Sequence, residues 1–223
     1  MAILDPGSLF RGKGKLGQLV IRKVGNKFIA SARPASFKKS NSIKAVSTRS
    51  HFSYANKFAT FINPDPVLHE IWDLFSEENS IGFRSIISEN RNLMTDQGPS
   101  ISNIIVPPSE YNIISDISLI DNSINITIQQ FGNNSAKVLD NLFRIFVLFA
   151  KVDDTYKLSG ELFNSIVISE NGIDLQTINI EMSSIVQDFI KGEKDFILYG
   201  AIVWNLKDNL EWRWSSSFGK KIK

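Results

Sequence analysis

The sequence predicts an α+β chain, mainly β. An N-terminal β-hairpin and short helices lead into an immunoglobulin-like antiparallel β-sandwich. Three observations carry this. Two β-rich runs flank a Gly-Asn pair near the start. A stretch of helical period follows. From residue 113 onward, short β-branched and aromatic runs alternate with Asp, Asn and Gly turn signals.

Residues 1–17 are rich in Gly and Lys, contain Pro6, and read as an arm or loop. QLVIRKV, Gly25-Asn26 and KFIASARP then give a hairpin signal, which Pro34 ends. A polar, basic connector runs from Ser36 to Ser42. Between Asn41 and Ile62 the period turns helical. Ile43, Val46, Tyr54, Phe58 and Phe61 form one stripe, widened by Phe52, Ala55 and Ile62, and Asn63-Pro64 stops it. A second helix is predicted over 66–78, with Pro66 in its first turn and Val67, Leu68, Ile71, Trp72 and Phe75 on its apolar face. A third is predicted over 81–94. Pro99, Pro107 and Pro108 mark a linker.

ISDISLI and SINITIQQF, joined by Asp121-Asn122, read as a second hairpin. NLFRIFVLFAKV is a long strand closed by Asp153-Asp154. LFNSIVIS, the turn Glu170-Asn171-Gly172, and IDLQTINIEM follow. DFILYGAIVWNL and LEWRWSSSF complete six or seven strands. The expected organisation is therefore 1–36 as basic arm and hairpin, 37–98 as a helical segment, 99–112 as linker and 113–223 as the β-sandwich domain. Of the 223 residues 43% are hydrophobic, enough for one sizeable core.

Composition excludes several chemistries. With no cysteine there is no disulfide framework, thiolate metal site or thiol nucleophile. The first residues lack the charge-then-apolar order of a secretory signal, and no apolar run reaches the ~18 residues of a membrane span. The compartment is unknown from sequence, cytoplasmic by default. Gly12, Gly14 and Gly17 fit a GxGxxG spacing, but a dinucleotide site needs a strand before them and a helix after, and the kinase signatures that could rescue the motif do not occur. His69 and Asp73 stand i, i+4 on a predicted helix as a two-ligand metal face with no evident third ligand, and read better as a surface polar pair. His51 is expected to be solvated. Glu77-Glu78 and Asp153-Asp154 read as a helix end and a turn. Trp204, Trp212, Trp214 and Tyr199 suggest either an aromatic platform or, more plainly, packing. The expectation is no catalytic residue, no metal, no cofactor and no small-molecule substrate.

Charge is the feature that stands out. Residues 1–60 hold twelve Lys and Arg against Asp5 alone, a balance of +11, while the remainder is net −9. Such asymmetry points to a polyanion or to an acidic protein surface. Arg11, Lys13, Lys15, Arg22, Lys23, Lys27, Arg33, Lys38 and Lys39 are the candidate contacts. Val20, Ile21, Phe28, Trp212 and Trp214 are candidate packing positions at an interface. The expected function is a non-enzymatic structural protein that self-assembles into a filament or other homo-oligomer through its basic arm. The alternative is a nucleic-acid-binding module. An isolated two-stranded hairpin is marginal in water, so it must dock on the aromatic helix, on its own β domain, or, as preferred, on the sheet edge of a neighbouring copy.

GKLGQLVIRKVGNKFIASARP, the Arg49-x-x-Phe52-x-x-Ala55 helix, and FILYGAIVWNLKDNLEWRWSSSFG together resemble a family of uncharacterised Bacteroidota proteins. That domain of unknown function has an N-terminal basic Gly/Lys hairpin and a C-terminal β-sandwich. The resemblance implies this organisation and transfers no activity.

Overall fold

In the computed structural model, the chain divides into two units, Met1–Ser42 and Ile43–Lys223. The structure describes residues 2–4, 14–16, 19–24, 27–32, 39–76, 81–128, 142–168, 177–191, 195–205 and 212–222. Those residues mix α and β, with several antiparallel sheets and four helices.

In the first unit, β3 (Leu19–Val24) and β4 (Lys27–Ala32) pair antiparallel across Gly25-Asn26, with Val24 opposite Lys27. Two strands from the expected arm join them: β1 (Ala2–Leu4) on β4, and β2 (Gly14–Leu16) on β3. The sheet order is β1-β4-β3-β2. Reading 1–17 as an arm or loop is thus corrected over Ala2–Leu4 and Gly14–Leu16, and the hairpin is not an isolated two-stranded unit. A hairpin leaves two rows of unpaired N–H and C=O groups. Three-residue segments of this chain fill both, and such segments are too short to show a period in sequence.

The second unit opens with α1 (Ile43–Ile62), α2 (Pro66–Phe75) and α3 (Gly82–Arg91). Asp65 caps α2, its carboxylate accepting from Val67 N and Leu68 N, and Pro66 needs no donor partner there. Then come β5 (Ile114–Ile120), β6 (Ser123–Ile128), β7 (Leu142–Val152), β8 (Leu158–Ile168), β9 (Thr177–Glu181), α4 (Ser184–Ile190), β10 (Phe196–Asn205), β11 (Trp212–Trp214) and β12 (Phe218–Ile222). The strands form one sheet ordered β11-β10-β7-β8, with β12 also on β10, and a second ordered β5-β6-β9.

Alternation assigns the layers. Phe146, Leu148, Ala150, Tyr199, Ala201 and Val203 project from one face of β7 and β10 into a core shared with α1, α2 and α3. Phe143, Ile145, Val147, Phe149, Leu198, Ile202 and Trp204 project from the other face onto the three-stranded sheet. Helices, a central sheet and a smaller sheet therefore stack as three layers. Burial on both faces explains why FRIFVLFA and FILYGAIVW are nearly unbroken apolar runs.

This layering moves the expected boundary. Segment 99–112 is no exposed linker between a helical part and a β domain, because both contribute to one core. Ile105 and Val106 are fully buried within the segment. Its prolines prevent a strand, so side chains satisfy its backbone instead: Ser217 Oγ accepts from Ile105 N (2.9 Å) and Val106 N (3.2 Å). Asn90 and Asn103 form a buried amide pair there, and Asn90 also receives Ile104 N at 2.8 Å. The same serine-rich stretch splits the expected final strand into β11 and β12, as Ser215 Oγ turns to Ile202 N.

Two further expectations change. The apolar stripe of α1 is buried only from Tyr54 onward; Ile43, Val46 and Phe52 are exposed. α4 lies where no helix was expected, because seven residues span too few turns to show a period, although Ser183 caps it.

Candidate functional site

The nine candidate bases are all those of the first unit, which carries them against Asp5 for a net +8. Ile43–Lys223 holds the other 16 bases and 22 acids, net −6. The two units thus carry opposite net charge, although unopposed bases continue through Lys44, Arg49 and Lys57 of α1. Arg22 lies exposed on β3 and Lys39 is exposed just beyond the sheet. Lys15 on β2 stands opposite Val20, and Lys23 opposite Phe28, in the strand register. Val20 is half-buried and Ile21 buried. Arg11, Lys13, Arg33 and Lys38 lie outside the described residues.

Trp212 and Trp214 belong to the second unit, whereas Val20, Ile21 and Phe28 belong to the first. Spacing by two puts both on the helical core, half-buried, and Trp214 Nε1 donates to Pro107 O at 3.0 Å. Trp204 enters the opposite core, edge-on to Tyr111. Tyr199 is fully buried against Phe58 and donates its hydroxyl to Ser100 O at 2.6 Å; burial pushes that phenol's pKa far up. The four aromatics therefore make no common platform.

Three polar clusters invite a chemical reading. Ser47 and His51, one turn apart on α1, meet Asp96. Ser47 Oγ donates to Asp96 Oδ1 at 2.6 Å, and His51 Nε2 lies 3.1 Å from the same oxygen. A nucleophilic triad uses one imidazole nitrogen for the hydroxyl and the other for the carboxylate. Here one nitrogen faces both, and the hydroxyl proton goes to the carboxylate, so no base is positioned to activate the serine. The Ser47 hydrogen bond, then His51, holds the Asp96 carboxyl below the usual range. His51, expected to be solvated, is thus tied down. Sequence could not have found this cluster, because Asp96 is 45 residues away.

His69 Nε2 faces Asp73 Oδ2 at 3.3 Å and its Nδ1 faces Asn63 Oδ1 at 3.2 Å. Asp73 Oδ1 accepts from Gly82 N, closing the start of α3. The pair ties α2 to its neighbours. Among the described residues no group of three or more His, Asp or Glu could hold a metal ion.

An open groove of about 530 Å³ lies between the 95–101 turn, the 152–156 turn and the start of β10. Asp153, Asp154, Asp195, Lys151 and Lys221 give it mixed charge. Asp153 is committed to its own turn: Oδ1 accepts from the Thr155 hydroxyl (2.6 Å), Thr155 N and Lys157 N. These bonds, the Thr155 hydroxyl foremost, hold its carboxyl below the ordinary range. Lys221 faces Asp195 at 3.7 Å. The groove can admit a small polar molecule but presents no nucleophile with an adjacent base.

The glycine motif also loses its chemical reading. Gly14 begins β2, which pairs with β3, so strand rather than helix follows it. No described helix is long and apolar enough to cross a membrane. Set against family models, curated proteins and solved structures, the chain matches none of them.

Proposed function

We propose that this chain is a non-enzymatic structural protein that self-assembles, the basic unit of one copy contacting the acidic unit of the next. The observation that carries this is the coincidence of charge sign with fold unit, +8 on Met1–Ser42 and −6 on Ile43–Lys223. Opposed charges on separate bodies favour head-to-tail contact, and a heterologous contact that does not close produces filaments. The internal commitment of Ser47, His51, Asp73, His69 and Asp153 supports a non-catalytic role.

The immunoglobulin-like reading of the second unit belongs to the same proposal. Lettering β5, β6, β7, β8, β9, β10 and β12 as A, B, C, C′, E, F and G gives sheets A-B-E and G-F-C-C′ from the observed strand order. The helical layer on the second sheet is an addition to that plan. The resemblance to the Bacteroidota family supports the organisation and adds no activity.

Light scattering and electron microscopy across protein concentration test the function. Oligomers should form at about 0.05 M salt and shrink as salt rises to about 0.5 M, where screening falls within a few ångströms. Monomer at every concentration and low salt would rule the reading out. The second reading, nucleic-acid binding by residues 11–57, rests on exposed bases in each unit, Arg22 and Lys39 in the first and Arg49 and Lys57 of α1 in the second. It requires a DNA or RNA gel shift that weakens steeply with salt.

A further inference from the structure

The central sheet of the second unit has two differently finished sides. On one side β12 is five residues long and carries Lys220 and Lys221. It lies by β5, whose register shifts between Ile114 and Asp116, and Lys220 Nζ reaches Asp116 Oδ1 at 2.6 Å. Short length and charge are devices that keep a sheet edge from pairing with another chain.

The other side is a longer strand with less charge, and α1 and α4 pack against it. β8 runs eleven residues, Leu158–Ile168, and pairs with β7 in continuous register from Leu142↔Ile168 to Val152↔Leu158. It holds no proline or lysine, and Glu161 is its one charged residue. Among the described residues no strand pairs with its outer side. Ile166 is 53% exposed, and Asn164 is exposed with its amide donating to Asp65 Oδ2 at 2.8 Å. Alternate N–H and C=O groups of such a strand point outward as a template for strand addition.

We infer that β8 is a joint for a second copy of this chain, two β8 strands pairing antiparallel about a two-fold axis at Phe163 and continuing one sheet through both protomers. The strand itself selects this occupant. Phe163 is the midpoint of Leu158–Ile168, so this register pairs all eleven residues. It sets Glu161 opposite Ser165 and leaves no like charges facing each other. This goes beyond the charge-driven contact proposed above. It is isologous, confined to the second unit and built on backbone hydrogen bonds, so it persists in salt that dissolves the other.

The chain's lack of cysteine makes the test clean. In full-length protein at about 0.5 M salt, light scattering should show a concentration-dependent dimer. The double variant Glu161→Cys/Ser165→Cys should oxidise to a covalent dimer at least about tenfold faster than either single variant, since only directly opposed residues come within disulfide reach. Within one strand the two positions stand about 13 Å apart at 3.3 Å per residue, so they cannot bridge internally. Urea unfolding of each variant checks that the fold is kept. Monomer throughout at this salt overturns the joint. So does a dimer whose double variant cross-links no faster than the single ones, because the interface then lies elsewhere. Loss of low-salt oligomers with retention of this dimer would instead overturn only the charge-driven contact.

Discussion

The two units of this chain are held together by different means. Ile43–Lys223 buries large side chains on both faces of its central sheet, Trp72, Phe58, Phe143, Phe146 and Phe149 among them. In Met1–Ser42 the buried side chains among those described are Ile21 and Ala30, which face each other across β3 and β4. The larger unit rests on apolar burial, and the described part of the smaller shows a four-stranded backbone ladder. The contrast shows that a small basic sheet can be ordered by strands borrowed from its own flank, with Arg22 exposed on β3.

The sharpest way to break the comparison is to remove a large core side chain. Trp72 is fully buried and its Nε1 donates to Ile105 O at 3.0 Å. Trp72→Ala should lower the stability of the larger unit by about 4 kcal/mol. Urea denaturation followed by the fluorescence of the remaining tryptophans, all in that unit, reads this directly.

The smaller unit should instead fail through its ladder. Ile21 sits on β3 between β2 and β4, opposite Gly14 and Ala30. Ile21→Pro removes a donor from a central strand, a loss of about 3 kcal/mol or more. Amide exchange should rise across 19–32 while the tryptophan-reported transition stays in place. A shift of that transition would show that the units do not unfold independently.

Asn103→Ala tests the buried polar device that replaces secondary structure near 99–112. It leaves Asn90 Oδ1 short of one donor and Ser100 N without its acceptor. The expected cost is about 2 kcal/mol, measurable by the same denaturation curve.

The smallest effect is electrostatic. The carboxyls of Asp96 and Asp153 are held below their ordinary pKa by hydrogen bonds, Ser47 first for Asp96 and Thr155 first for Asp153. A depressed folded-state pKa stabilises the fold above the ordinary carboxylate range, and that contribution fades as pH falls through the lowered value. Asp153→Asn should therefore lower stability slightly near neutral pH, leave it little changed in acid and so flatten the acid limb, as followed by thermal melts across pH.

Much of the secondary structure was legible because its signals are local. Asn63-Pro64 stops α1, and Asp65 and Pro66 start α2, by steric and capping rules that need no tertiary contact. The turn residues around Asp121 and Asp153 likewise announced themselves; Asp121 adopts the left-handed φ of 52° that Asp tolerates well. The polar clusters were less legible. His69 and Asp73 are four residues apart and could be paired by eye, whereas His51 and Asp96 could not.

The sequence by itself determined the element types, the hairpins and the separation of charge, since each follows from neighbours along the chain. Tertiary structure alone decided where they went. β1 and β2 are too short for a period and became strands only because β3 and β4 offered open edges. The helices and strands merged into one unit because β7 and β10 are apolar on both faces, and a face of that kind must be covered. Segment 99–112 looked like a linker for want of a pattern; around its buried Ile105 and Val106, the backbone is satisfied by a serine more than a hundred residues away and by an asparagine of α3. Such pairings depend on distance in space, which one-dimensional order does not record.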